Sequence, residues 1–239
     1  MSIKSQLRII PIYTVQLANG LSPTAIFHAW VKLPISLEEF YAEQRALQAA
    51  IFPSSAPLPG AVQLLSDLSH ATTITSNNPV HIALATSSHA ANFKLKTAHL
   101  TDLFTVFTPT RRVLGDDPRI PPGRGKPHPD IYLLALQTIN SSLSEGEKPI
   151  TPEECLVFED SVPGVESGRR AGMRVVWVPH EGLKAEYTGR EAEVLAGLTG
   201  EAEGELDLLG KVGDGWGDQM ATLERFPYEK YGIKVEEKQ

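Results

Sequence analysis

Two adjacent carboxylates, Glu159 and Asp160, stand in the string Phe158-Glu159-Asp160-Ser161. They follow an apolar run, residues 155–158, that reads as a short buried strand. Residues 162–170 read as a helix closed by Gly172, and residues 174–178 as a second buried strand. Chemistry in open α/β sheets sits beyond the carboxyl ends of the strands, where an acid pair can handle a metal ion or a phosphate. A Glu-Asp pair in that place also serves as a helix cap, and taken alone it leaves both readings open. A further apolar strand, residues 81–85, runs into Thr86, Ser87 and Ser88, three hydroxyl residues that open a helix over about 89–99. Hydroxyls together with free helix N–H groups make a phosphate cradle, or else merely cap their own helix. In Gly125-Lys126-Pro127-His128-Pro129-Asp130 the prolines hold the chain extended and then start a helix through about Asn140, which fixes Lys126 just before that helix. A lysine so placed can neutralise phosphate oxygens and a neighbouring carboxylate; without such company it is solvated surface.

The elements that must hold these groups follow from pattern and composition. With 239 residues, 41% hydrophobic and 21% charged, the chain is long enough for one core domain and a small appendage. Its single cysteine, Cys155, lies in the apolar run and excludes an internal disulfide. A formal net charge of -7 disfavours nucleic acid and anionic membrane as partners. No apolar run is long enough to span a membrane and no signal peptide is evident, so a cytoplasmic location is expected. The loop over 108–124 carries Arg111, Arg112, Arg119 and Arg124, which either help to hold an anion or are simply solvated. Gly213-x-Gly215-x-Gly217 lacks a preceding strand and the spacing of a nucleotide loop.

Taken in order, these segments resemble the haloacid dehalogenase (HAD) superfamily of phosphohydrolases, in the branch of pseudouridine 5'-phosphatase and related sugar-phosphate phosphatases. Residues 58–65 look like the helix leading into that family's core, and Phe93-Lys94-Leu95-Lys96-Thr97 with Leu103-Phe104 looks like the stretch after its second motif. The resemblance covers about residues 58–179. It implies an α/β fold: a HAD-like Rossmannoid parallel sheet with helices on both faces, plus a partial helical cap. It also implies that Thr86, assisted by Ser87 and Ser88, holds the phosphoryl group, that Lys126 neutralises charge, and that Glu159 and Asp160 hold Mg²⁺. Such an enzyme hydrolyses a small phosphorylated metabolite, a nucleoside or sugar monophosphate, through an aspartyl-phosphate. A phosphomutase is the variant within the same branch.

The sequence departs from the family where it matters most. The family's first strand ends in Asp-x-Asp-Gly, whose first aspartate is the nucleophile; here no aspartate precedes Asp67, which lies in a helix-like stretch. Asp102 precedes Leu103-Phe104, Asp116 and Asp117 sit in a Gly/Pro-rich loop, and Asp214 follows Lys211-Val212-Gly213 with no apolar strand. Helical patterns over residues 22–30 and 36–51 look like the later helices of the family's cap, so the chain is expected to begin inside the cap, from an alternative or mispredicted coding start. Residues 7–17 are β-branched and interrupted by Pro11, which suits a central strand poorly. The expected consequences are a missing first central strand, two exposed strand edges, reduced magnesium affinity and loss of turnover. The alternative is a non-catalytic remnant that binds phosphate or another protein. The expected division is a partial cap over 1–57, the core over 58–190 and an acidic helical extension over 191–239, with patches at 191–198 and 205–209.

Overall fold

A computed structural model describes residues 23–200 and 209–236. Residues 7–17 and most of the helical patch expected over 205–209 therefore lie outside the described residues. The chain divides into two units at residue 50, seven residues before the boundary expected from sequence.

The first unit holds helices α1 (Pro23–Val31) and α2 (Leu37–Ile51), the last residue of α2 falling in the second unit. Ser36 and Glu39 start α2 with a reciprocal cap, Ser36 N–H donating to Glu39 Oε2 at 2.8 Å and Glu39 N–H to Ser36 Oγ at 3.2 Å. Phe27 of α1 stacks on Phe40 of α2 at 6.1 Å between ring centroids.

The second unit is α/β. It runs through α3 (Ala61–Leu68), β1 (Thr72–Thr73), β2 (Leu84–Ala85), α4 (Ala90–Thr97), α5 (Thr101–Phe104), β3 (Arg112–Val113) and α6 (Asp130–Asn140). It continues with β4 (Leu156–Glu159), α7 (Val162–Arg170), β5 (Arg174–Trp177), α8 (Glu181–Glu186), α9 (Glu191–Ala196), β6 (Gly217–Gln219) and β7 (Ile233–Lys234). Strands β4, β5 and β6 form one parallel sheet in that order, β2 and β3 a second parallel pair, and β1 and β7 an antiparallel pair.

Alternation along the strands assigns their side chains to two layers. Val157, Val175 and Trp177 pack with Ile131, Tyr132, Ala135 and Leu136 of α6 and with Val162 and Val165 of α7; Ala83 and Ala85 join them. Val176 and Val178 pack instead with Leu64 and Leu68 of α3, joined by Ile82, Leu156 and Phe158. The segment containing β2 thus shares both covering layers with β4 and β5. Strand β5, paired on both sides, has Val175, Val176 and Trp177 fully buried, whereas Leu84 and Ala85 of β2 are half-buried. Among the described residues no strand pairs with the other edge of β2 or of β4.

The stretch 191–239 differs from the helical extension expected of it. After α9 it supplies β6, which joins β5 in parallel, and β7, which joins β1. Leu223, Phe226 and Ile233 enter the α3 layer, and Phe226 stacks on Tyr231 at 4.9 Å. Gly217-Asp218-Gln219 has no alternating apolar pattern to read, because its strand character comes from backbone pairing with β5.

Candidate functional site

Glu159 is the last residue of β4, and Ser161 caps α7, its Oγ accepting from Gly164 N–H at 3.2 Å. This tight strand-to-helix turn directs the Glu159 side chain back against the helix. Ser161 donates to Glu159 Oε2 from Oγ at 3.0 Å and from N–H at 3.3 Å. Oε1 receives both the Lys126 ammonium and the Tyr132 hydroxyl, and the residue is 8% exposed. An alanine methyl at position 164 would lie 2.1 Å from the Glu159 carboxyl, so the helix approaches the acid this closely only with glycine there.

Lys126 joins two separate elements. Its Nζ donates to Ala85 O at 3.1 Å, at the carboxyl end of β2, as well as to Glu159 at the carboxyl end of β4. It also lies 4.7 Å from the centre of the Tyr132 ring, a favourable cation–π position. The loop before α6 is braced by the Arg124–Asp130 ion pair at 2.8 Å and by His128 N–H donating to Gly125 O at 3.0 Å. Burial, then the negative charge of Glu159, holds the Tyr132 phenol well above its usual range, so it stays a hydrogen-bond donor.

Asp160 has a different setting. Its backbone carbonyl accepts from Trp177 Nε1 at 3.3 Å, while the residue remains open to solvent. Lost hydration around the carboxyl and then the charge of Glu159 raise its pKa above the ordinary value, opposed by a backbone hydrogen bond and then by Lys126 and Lys96. The two acids thus divide. Glu159 is buried with both oxygens occupied by donors, and Asp160 is the carboxylate that faces water.

At the end of β2, Thr86 N–H extends the ladder by donating to Val113 O at 3.0 Å, and Thr86 Oγ1 accepts from Ser88 N–H at 3.2 Å. Ser88 Oγ accepts from Lys96 Nζ at 3.1 Å. The start of α4 is not capped by these hydroxyls. Ala90 N–H donates to the carboxylate of Asp116 at 3.0 and 3.1 Å, so the loop after β3 occupies part of the helix N-terminus that was expected to be free for phosphate. That loop lies against the hydroxyl turn: a methyl on Gly115 would stand 2.2 Å from Ser87 O.

The loop arginines are engaged within the protein. Arg111 donates to Ser142 Oγ at 2.7 Å, Arg112 to Phe104 O at 2.8 Å, and Arg119 to Asp117 Oδ2 at 2.6 Å, while Arg124 pairs with Asp130. Asp67 lies on α3 and accepts from Tyr228 OH at 2.8 Å, and Asp214 pairs with Arg169 and organises the glycine-rich turn. Burial pushes the Cys155 thiol up to about 11, which leaves little thiolate at neutral pH. Sequence reasoning assigned no role to Tyr132, Lys96, Asp116 or Gly164. The Tyr132 position, six residues beyond Lys126 and inside the first turn of α6, was the available signal for the first of these.

Fit to a divalent cation can be judged from the donors. Magnesium takes six oxygens and commonly retains water, using one or two carboxylates plus substrate phosphate. Asp160 suits such a ligand; Glu159, as oriented here, has no oxygen to spare. Among the described residues no three His, Cys, Asp or Glu side chains converge on one point. No described helix is long and apolar enough to cross a membrane.

Comparison with known proteins gives a consistent result. A family profile described as haloacid dehalogenase-like hydrolase matches residues 27–172. An uncharacterized protein of Schizosaccharomyces pombe is 37% identical over 221 residues, covering 92% of this chain and 78% of the relative. A Saccharomyces cerevisiae protein named as a probable pseudouridine-5'-phosphatase is 40% identical over 202 residues, covering 84% and 72%. Among solved structures, a HAD hydrolase of family IA, variant 3, from Entamoeba histolytica superposes with a TM-score of 0.56 at 20% identity, covering 90% of this chain and 79% of that one, which speaks to the fold.

Proposed function

Because the chain belongs to the haloacid dehalogenase-like hydrolases, we propose that it binds the phosphate group of a small phosphorylated metabolite at the carboxyl ends of β2 and β4. The observation that carries this reading is the Lys126 ammonium, bound at once to Ala85 O and Glu159. In the proposed complex the Thr86 and Ser88 hydroxyls and the Ser87 backbone turn receive the phosphate oxygens. Lys126 offsets their charge, and Glu159 and Tyr132 hold Lys126 in place. Mg²⁺, bound through Asp160, would offset further negative charge on the phosphate. Glu159 then acts on the ammonium and not on the ion.

A nucleoside or sugar monophosphate is the substrate class in this reading, supported by the name of the Saccharomyces cerevisiae relative. The helices of the first unit are assigned to a partial helical cap, and a cytoplasmic location belongs to the same proposal. Hydrolysis by the family's route needs an aspartate nucleophile after the first strand, and the sequence has no aspartate before Asp67. The chain by itself is therefore proposed to bind phosphate without turning it over. Purified protein tested on p-nitrophenyl phosphate with and without Mg²⁺, with a thermal melt and a calorimetric titration of phosphate, checks this. The expected outcome is a cooperative melt and phosphate binding weakened by Lys126→Ala, with no turnover. Magnesium-dependent turnover would show that another group attacks phosphorus, and unchanged binding by Lys126→Ala would remove the site.

A further inference from the structure

Lys96 is a half-buried cation whose described contacts are with neutral groups. From the last turn of α4 its Nζ reaches back to Ser88 Oγ at 3.1 Å, and it lies 4.5 Å from the centre of the Phe52 ring. Among the described residues it has no ion-pair partner. One Nζ donor is taken by Ser88, and the others are available to an anion that arrives from outside.

The local charges point the same way. Lys126 and Glu159 form an ion pair and cancel, and Asp160, with Asp116 at the start of α4, then leaves two negative charges around the turn, which oppose the approach of a phosphate. Lys96 offsets one of these charges, and its field is felt at the Asp160 carboxyl. The contact with Ser88 adds direction. A hydroxyl oxygen that accepts from an ammonium turns its own O–H away from that donor, and the polarised O–H becomes a better donor to a further acceptor.

We propose that Lys96 is a positioning residue of the phosphate site, holding the Ser88 hydroxyl as a donor and supplying the positive charge that Lys126 spends on Glu159. The inference rests on the reading of the Thr86, Ser87 and Ser88 turn as a phosphate cradle. The test titrates inorganic phosphate into the full chain by calorimetry at several salt concentrations, for wild type, Lys96→Gln, Lys96→Arg, Lys126→Ala and, as a control on the same helix, Lys94→Gln. Lys96→Gln should weaken binding about fivefold, the size of a solvent-screened charge contact, and flatten its salt dependence. Lys96→Arg should restore most of both, and Lys94→Gln should leave them unchanged. If Lys96→Gln does not melt cooperatively, Lys96→Met, which keeps the aliphatic stem over the Phe52 ring, is measured in its place. Wild-type affinity and salt dependence in the neutral variant, with binding lost in Lys126→Ala, would overturn the role of Lys96 and leave the cradle standing. Unchanged binding in both Lys96→Gln and Lys126→Ala would overturn the cradle and the inference with it.

Discussion

Glu159→Gln is the substitution that most directly tests the arrangement around Lys126. The Lys126 and Glu159 side chains are 9% and 6% exposed, and the carboxylate receives Lys126 and Tyr132 on one oxygen and Ser161 on the other. Glutamine keeps the volume but removes the charge that compensates a buried ammonium. Its single oxygen cannot serve both sides. With that oxygen toward Lys126, the amide NH₂ meets the Ser161 N–H donor; turned around, it meets the ammonium. Removing one partner of a buried pair costs about 3–5 kcal/mol, a large part of the roughly 5–15 kcal/mol that keeps a domain folded. In a domain of this size the melting temperature should fall by about 10 °C. Urea unfolding followed by the fluorescence of buried Trp177 measures the loss. In the double variant with Lys126→Met, which removes both charges, the loss should be smaller than the sum of the two single effects. A cost below about 1 kcal/mol for Glu159→Gln, or strict additivity in the double variant, would refute a buried pair at this position.

Two further outcomes follow from the packing around this site and the far edge of the sheet. Gly164→Ala places a methyl 2.1 Å from the Glu159 carboxyl, and since that acid is boxed in by four donors it should destabilise the protein by about 1–3 kcal/mol; a neutral thermal melt would show that Glu159 does not lie against α7. At Asp218, burial pushes the carboxyl pKa up, but Lys230 Nζ at 2.6 Å, Tyr231 OH at 2.9 Å and the charges of Lys230 and Arg174 hold it below the usual range. A depressed carboxyl contributes stability above its unfolded pKa, about 4, and loses it as pH falls through the folded value. Asp218→Asn should therefore lower the urea midpoint at pH 7, with the gap to wild type closing in acid; a gap independent of pH would exclude the carboxylate as its source.

The sequence by itself determined the local units. The apolar runs and cap residues around Glu159 predict a strand, a turn, a helix and a strand, and β4, α7 and β5 occupy those places within a residue or two. Helices α1, α2, α3, α4 and α6 follow in the same way from periodicity, proline placement and capping, signals carried within ten or so residues. The resemblance grouped Thr86, Lys126 and the acid pair, but tertiary structure decided which side chains meet. It turned Glu159 inward onto Lys126 and Tyr132 and left Asp160 outward, a choice made by the closeness of α7 at Gly164. It brought Asp116 across from the loop after β3 to the start of α4, and returned Lys96 to Ser88. It also made a strand of Gly217-Asp218-Gln219 by offering the backbone of β5. Capping and periodicity act between near neighbours and can be read from the chain, whereas ion-pair direction, long-range caps and the pairing of unpatterned strands depend on which surfaces meet once the layers have packed.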